Sequence, residues 1–207
     1  MSRTFPELPL AIKVFLVPLA WCLARLPQSA RQALVHALGG LIYYGFKKRR
    51  RILLANLHHA YPDWEESRRR KVGRLSCNGV VEMGLLALAA PFFSVSWLHR
   101  HFRFSERMAS YLEEQRENPR PALYLVPHQA LFESVLWACR GRDVPEIGVL
   151  YRPPNQQGFA AFLEWSRAQT GITMLSKKQG LAKSLSFLRQ KGNLAILFDQ
   201  NAGPPGA

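Results

Sequence analysis

Acidic side chains are scarce in this 207-residue chain: 14 Asp and Glu face 28 Lys and Arg, a net charge of +14 with histidine neutral. That deficit excludes a self-neutralised surface. It directs the chain toward polyanionic partners such as phosphodiester backbones, anionic lipid surfaces, phosphorylated glycolipids or acidic carrier proteins. Cysteine is rarer still. Cys22, Cys77 and Cys139 are odd in number and fall in no CxxC or Cys/His spacing, which argues against a disulfide framework and a structural zinc site and leaves them as reduced, apolar fillers. A G-x-S-x-G elbow is missing, and no cysteine has a matching histidine partner, so a covalent acyl-enzyme lacks its nucleophile. No zinc finger, basic zipper or aromatic RNP-like signature accompanies the charge.

Uninterrupted apolar runs of membrane length are also lacking. Leu8 to Leu26 is nineteen residues long, but Lys13, Pro18 and Arg25 break it, so a spanning helix and an interfacial one both stand. A basic n-region reduced to Arg3 and the absence of a small-residue cleavage site make it a poor secretory signal, expected to be retained. A second segment, Ala33 to Phe46, is fourteen residues long and contains Gly39-Gly40, which should weaken it. Directly after it comes the longest basic run, Lys47-Lys48-Arg49-Arg50-Arg51. That order fits a helical hairpin in or on the inner leaflet with cations at its exit, and it makes nucleic acid the second choice. The alternative is a soluble helical cap on the core. Residues 1–46 are thus expected to form a membrane-associated helical segment.

Residues 47–121 read as a helical region and link. Asp63 and Glu66 have capping-box spacing, and Val72, Leu75, Gly79, Met83 and Leu86 recur at helical steps until Pro91. Arg68 to Lys71 form its polar face. Trp97 to Arg107 reads as a connecting strand or loop, with His99 and His101 too isolated for a metal site. Glu114 to Pro121 reads as a surface link. From Ala122 short apolar runs alternate with helical stretches. The predicted strands are Ala122 to Val126, Ile147 to Leu150, Ile172 to Leu175 and Leu194 to Phe198; the predicted helices are Leu131 to Cys139, Gly158 to Gln169 and Leu181 to Gln190. The expected fold is α/β, with N-terminal membrane-associated helices followed by a largely parallel sheet flanked by helices, residues 122–207 forming the core.

Ligands of open α/β sheets bind at the carboxyl ends of the strands. Just past the predicted strands stand His128, Arg152, Lys177 with Lys178, and Asp199, a base, several cations and a carboxylate. His128 and Glu133 lie five positions apart, about 140° around a helix, so they do not share a helical face. With His128 in the loop before the helix, Glu133 is expected to accept a hydrogen bond from one ring nitrogen while the other takes a proton from an acceptor hydroxyl. Alone, this spacing favours a structural histidine in a strand-to-helix turn; the strand-end set around it reverses that reading.

The order His128 to Glu133, then Tyr151-Arg152-Pro153, then Asp199-Gln200 resembles the late acyltransferases of bacterial lipid A biosynthesis, within the wider glycerolipid and lysophospholipid acyltransferase group. Upstream, the basic run leading into Asn56-Leu57 and Tyr61-Pro62 is similar to the stretch after that family's membrane anchor. The resemblance implies transfer of a fatty acyl chain from acyl carrier protein to a hydroxyl of a phosphorylated glucosamine lipid, on the cytoplasmic face of the bacterial inner membrane. It implies His128 as general base, Glu133 as its support, Arg152 for phosphate or oxyanion contact, and Asp199 as an organising carboxylate with Tyr151 and Gln200 in support. Arg167, Lys177 and Lys178 are further phosphate candidates. Anionic inner-membrane lipids are implied as partners; no nucleic acid, cofactor or metal is expected. Two departures stand out. Ala130, Leu131 and Phe132 replace the family's common Gly, Asn and Trp, and the sequence stops at Ala207, where the family continues, so a C-terminally truncated chain or a short variant is expected. Another membrane acceptor (a lysophospholipid, aminolipid or glycolipid) and a noncatalytic basic membrane- or nucleic-acid-binding protein remain as alternatives.

Overall fold

The computed structural model describes residues 7–129, 131–176, 180–190 and 192–199. Their order is α1 (Val17–Arg25), α2 (Gln28–Gly45), α3 (Lys47–Ala60), α4 (Glu66–Ala89), α5 (Val95–His101), α6 (Glu106–Glu117), β1 (Ala122–Val126), α7 (Ser134–Cys139), β2 (Ile147–Tyr151), α8 (Gln157–Ala168), β3 (Thr173–Ser176), α9 (Gly180–Arg189) and β4 (Asn193–Leu197). Lys177, Lys178, Gln200 and Ala130 lie outside the described residues.

The strands match the apolar runs to within one residue and form one parallel sheet ordered β1-β4-β2-β3. Alternation sets its two faces. Ile147, Val149 and Ala195 join Cys139 in one cluster, while the bare side of Gly148 faces Phe187 of α9, where an added Cβ would lie 3.0 Å from the ring. Edge strand β1 turns Tyr124 and Val126 toward the first cluster and leaves Leu123 and Leu125 exposed.

Pro18 does not end the N-terminal helix. It lacks the N–H that would close the preceding α-turn, and the chain widens into a π-helical turn, Ile12–Leu16, that runs straight into α1. Gly39 does not weaken α2; it is required. An added Cβ there would lie 2.1 Å from Asn78 Oδ1 of α4, so the two helices meet at a distance only glycine allows. Helix α4 packs against α1, α2, α3 and α8. Together with the 3₁₀ turn that follows, Glu66–Phe92 is among the described residues the one stretch long and apolar enough to cross a membrane, with mean hydropathy 1.4. Core helices share that length and composition.

Three readings of the helical region are corrected. The capping box does not form: α4 starts after Glu65 with no side-chain cap, and Glu66 instead pairs with Arg70 one turn on. Asp63 lies in a turn braced by Tyr61 stacked on Trp64 at 4.0 Å, with Arg68 over the Trp64 ring. Trp97 to Arg107 is mostly helical. Ser94 caps α5 by accepting from the Trp97 N–H at 3.2 Å, and Ser105 caps α6 by accepting from Met108 at 3.3 Å. Glu114 to Glu117 form the last turn of α6 rather than a link.

Two buried side chains tie the helical half to the sheet half. Trp137 of α7, 1% exposed, packs with Leu23, Ala89, Phe93 and Leu98. Phe162 of α8, fully buried, packs with Leu8, Ala20 and Ala87. Truncating either aromatic in such a core costs about 3–5 kcal/mol, so the helix that follows the His128 loop is anchored from below.

Candidate functional site

All four strands run parallel, so their carboxyl ends share one edge. In the β1–β4 ladder Val126 is opposite Leu197. His128 and Asp199 therefore stand the same two residues beyond a paired position on adjacent strands, and they meet. The Asp199 carboxylate holds His128 twice: Oδ2 accepts from the main-chain N–H at 2.8 Å, and Oδ1 lies 2.6 Å from ring Nδ1. An ionised carboxylate only accepts, so Nδ1 carries the proton and Nε2 keeps a free lone pair. The hydrogen bond from the His128 ring, foremost, holds the Asp199 carboxyl below its ordinary range. Phe132 meets the imidazole edge-on, ring centroids 5.2 Å apart. Both side chains of the pair retain access to solvent, His128 at 26% and Asp199 at 34%.

The expected contact between Glu133 and the His128 ring is corrected by this geometry. Glu133 is 9% exposed and is ion-paired with Arg167 of α8. A carboxylate taken out of water needs a charged, hydrogen-bonding partner, and α8 supplies one. In the same pair the guanidinium of Arg167, expected from the sequence as a phosphate contact, is engaged with Glu133 and lies over the Tyr151 ring at 5.8 Å. Tyr151 donates its hydroxyl to Glu164 at 2.6 Å; burial first, then that bond, pushes its phenol up to about 12. Tyr151 thus braces β2 against α8.

Arg152 is exposed at the next position and has no carboxylate partner among the described residues. Since Val149 pairs with Ala195, Tyr151 is level with Leu197, and Arg152 leaves the same sheet edge as Asp199. Lys177 and Lys178 follow β3, beyond the described residues, as Gln200 follows Asp199.

The turn between His128 and α7 contains a backbone conformation that leucine rarely adopts: Leu131 has φ +60°. Its carbonyl accepts from the Ser134 N–H at 2.8 Å. Leu131 also borders an apolar groove of about 270 Å³, lined among others by Leu23, Val35, Leu85, Leu86 and Phe93. Cys139, by contrast, is buried, and burial pushes its thiol up to about 11, so it stays protonated and unreactive.

A histidine with a fixed tautomer, an exposed arginine on the same edge and an apolar groove beside the histidine loop can deprotonate a hydroxyl, meet an anion and hold a hydrocarbon chain. The family model described as bacterial lipid A biosynthesis acyltransferase matches residues 3–207. No individually curated protein matches the chain. With a match running over nearly its whole length, this chain belongs to the bacterial lipid A biosynthesis acyltransferase family.

Proposed function

We propose that the chain moves a fatty acyl group from the thioester of acyl carrier protein to a hydroxyl of a phosphorylated glucosamine lipid, at the cytoplasmic face of the inner membrane. The family makes it an acyltransferase with an acyl donor and a lipid acceptor. The finer reading rests on the two-point hold of Asp199 on His128, which fixes Nδ1–H and leaves Nε2 basic.

Nε2 removes the proton of the acceptor hydroxyl as its oxygen attacks the thioester carbonyl. Asp199 stabilises the imidazolium that forms. The tetrahedral intermediate collapses by breaking the carbon–sulfur bond, and the proton on Nε2 passes to the leaving thiolate, giving an ester and a free carrier thiol. No enzyme nucleophile is required. Arg152 serves the acceptor phosphate or the oxyanion, and the groove beside Leu131 takes the acyl chain. Glu133 and Arg167 position the loop and α7 from behind.

The test is His128→Ala in protein expressed from the intact gene. Acyl transfer is expected to fall about 10²- to 10⁴-fold, the contribution of a positioned general base, with membrane binding and thermal unfolding unchanged. Near-normal transfer by the folded variant would falsify the mechanism.

A further inference from the structure

Helices α2, α3 and α4 enclose a cleft of about 910 Å³ that shares no lining residue with the strand-end site. Six cations line it: Lys47, Arg50, Arg51, Arg70, Lys71 and Arg74. Arg70 is paired with Glu66. Arg50 sits over the Tyr43 ring at 5.5 Å and Arg74 over the Tyr44 ring at 6.0 Å. Lys47, Arg51 and Lys71 have no carboxylate partner among the described residues.

The arrangement opposes local electrostatics. Lys47 to Arg50 fill the first turn of α3, where the helix dipole is positive; that turn contains no acid, and Phe46 offers no side-chain cap. Cations held where the fold disfavours them point to an anion that offsets them. Its character follows from the rim. Tyr44 and Leu75 line the cleft and are more than half exposed alongside the charges; Phe46, next to Lys47 in the chain, and Leu41, one turn before Gly45 on α2, are as exposed. A soluble anion gains nothing from those side chains, whereas a lipid with a phosphate head and a hydrocarbon body engages both.

We propose that this cleft binds the phosphate head group of an anionic phospholipid in the bilayer surface, with the aromatic and aliphatic rim entering the interface. The proposal rests on the membrane setting given above but not on the His128 chemistry. A vesicle assay free of acyl donor and acceptor therefore tests it separately.

The probe is sedimentation of the whole chain with phosphatidylcholine vesicles, with and without phosphatidylglycerol. Replacing Lys47, Arg51, Lys71 and Arg74, all exposed, by glutamine is expected to weaken binding to the phosphatidylglycerol vesicles by about 10²-fold or more and to leave binding to pure phosphatidylcholine unchanged. A control with exposed Arg100, Arg103, Arg107 and Arg189 replaced by glutamine removes the same charge elsewhere and should lose far less. Thermal unfolding of both proteins verifies the fold. Equal loss in the two variants assigns the effect to net charge and overturns the cleft, as does unchanged lipid binding in the first. Kept lipid binding with lost binding of acyl carrier protein moves the cleft to a protein partner and overturns the proposal as well.

Discussion

Asp199 reaches a histidine ring and its main chain at once, so one substitution separates holding from charging. Asn in its place keeps an acceptor for the His128 N–H but no longer stabilises an imidazolium; Asp199→Asn is expected to lower turnover by up to the full 10²- to 10⁴-fold value of the base, with little change in unfolding. A large loss of stability and modest loss of turnover would make the contact architectural. The pH sign is definite. The folded carboxyl lies below its ordinary value, so its stabilising contribution is complete above that value and fades as pH falls through the lower, folded one. An inflection of activity between about pH 5 and 8 belongs to another group. Leu131 offers a second residue-scale test. Glycine normally destabilises relative to alanine, but at φ +60° the order reverses. Leu131→Gly is expected to be more stable than Leu131→Ala by about 1 kcal/mol in denaturant titration. The opposite order would mean the turn relaxes.

At the level of elements, the Glu133–Arg167 pair joins the start of α7 to α8. Removing one partner of such a pair strands a charge and costs about 3–5 kcal/mol, so Glu133→Ala or Arg167→Ala should each lower the urea midpoint sharply, whereas joint replacement by leucine and methionine should cost less than either alone. A Glu133→Gln protein of normal stability and lost turnover would return Glu133 to the chemistry. How legible these elements were follows from their physics. The strands stood out because four β-rich apolar runs are each bounded by polar or turn residues. Helix α5 was missed because it has only seven residues, and α6 because charged and polar side chains dominate it; their one signal was Ser94 and Ser105. The strand-end histidine and carboxylate were visible as a set. Their pairing was not, because it depends on β4 lying beside β1, and strand order is a property of the whole sheet. Glu133 was placed near His128 by sequence distance, but burial gave it to Arg167.

For the whole molecule, the N-terminal segment proves to be part of the core as well as a surface. Ala20 and Leu23 are buried in the clusters of Phe162 and Trp137, while Leu10 and Phe15 are 77% and 75% exposed, with Val14 and Leu19 beside them. Deleting residues 1–46 should therefore unfold the protein, not merely release it. Replacing Leu10, Val14, Phe15 and Leu19 by serine leaves the core contacts intact and is expected to shift the protein from membrane to soluble fraction; retention in the membrane fraction would deny these residues an anchoring role. The sheet order has a consequence for how the molecule comes into being. Strand β4, last of the four, inserts between β1 and β2, and 71 residues separate His128 from the carboxylate that holds it. While β1, β2 and β3 exist without it, β1 and β2 present open edges across a gap, prone to pair with each other or with another chain. Long-range parallel insertion is slow. The His128–Asp199 contact, and with it the base proposed above, is thus a late product of folding, formed only once the central strand has entered beside β1.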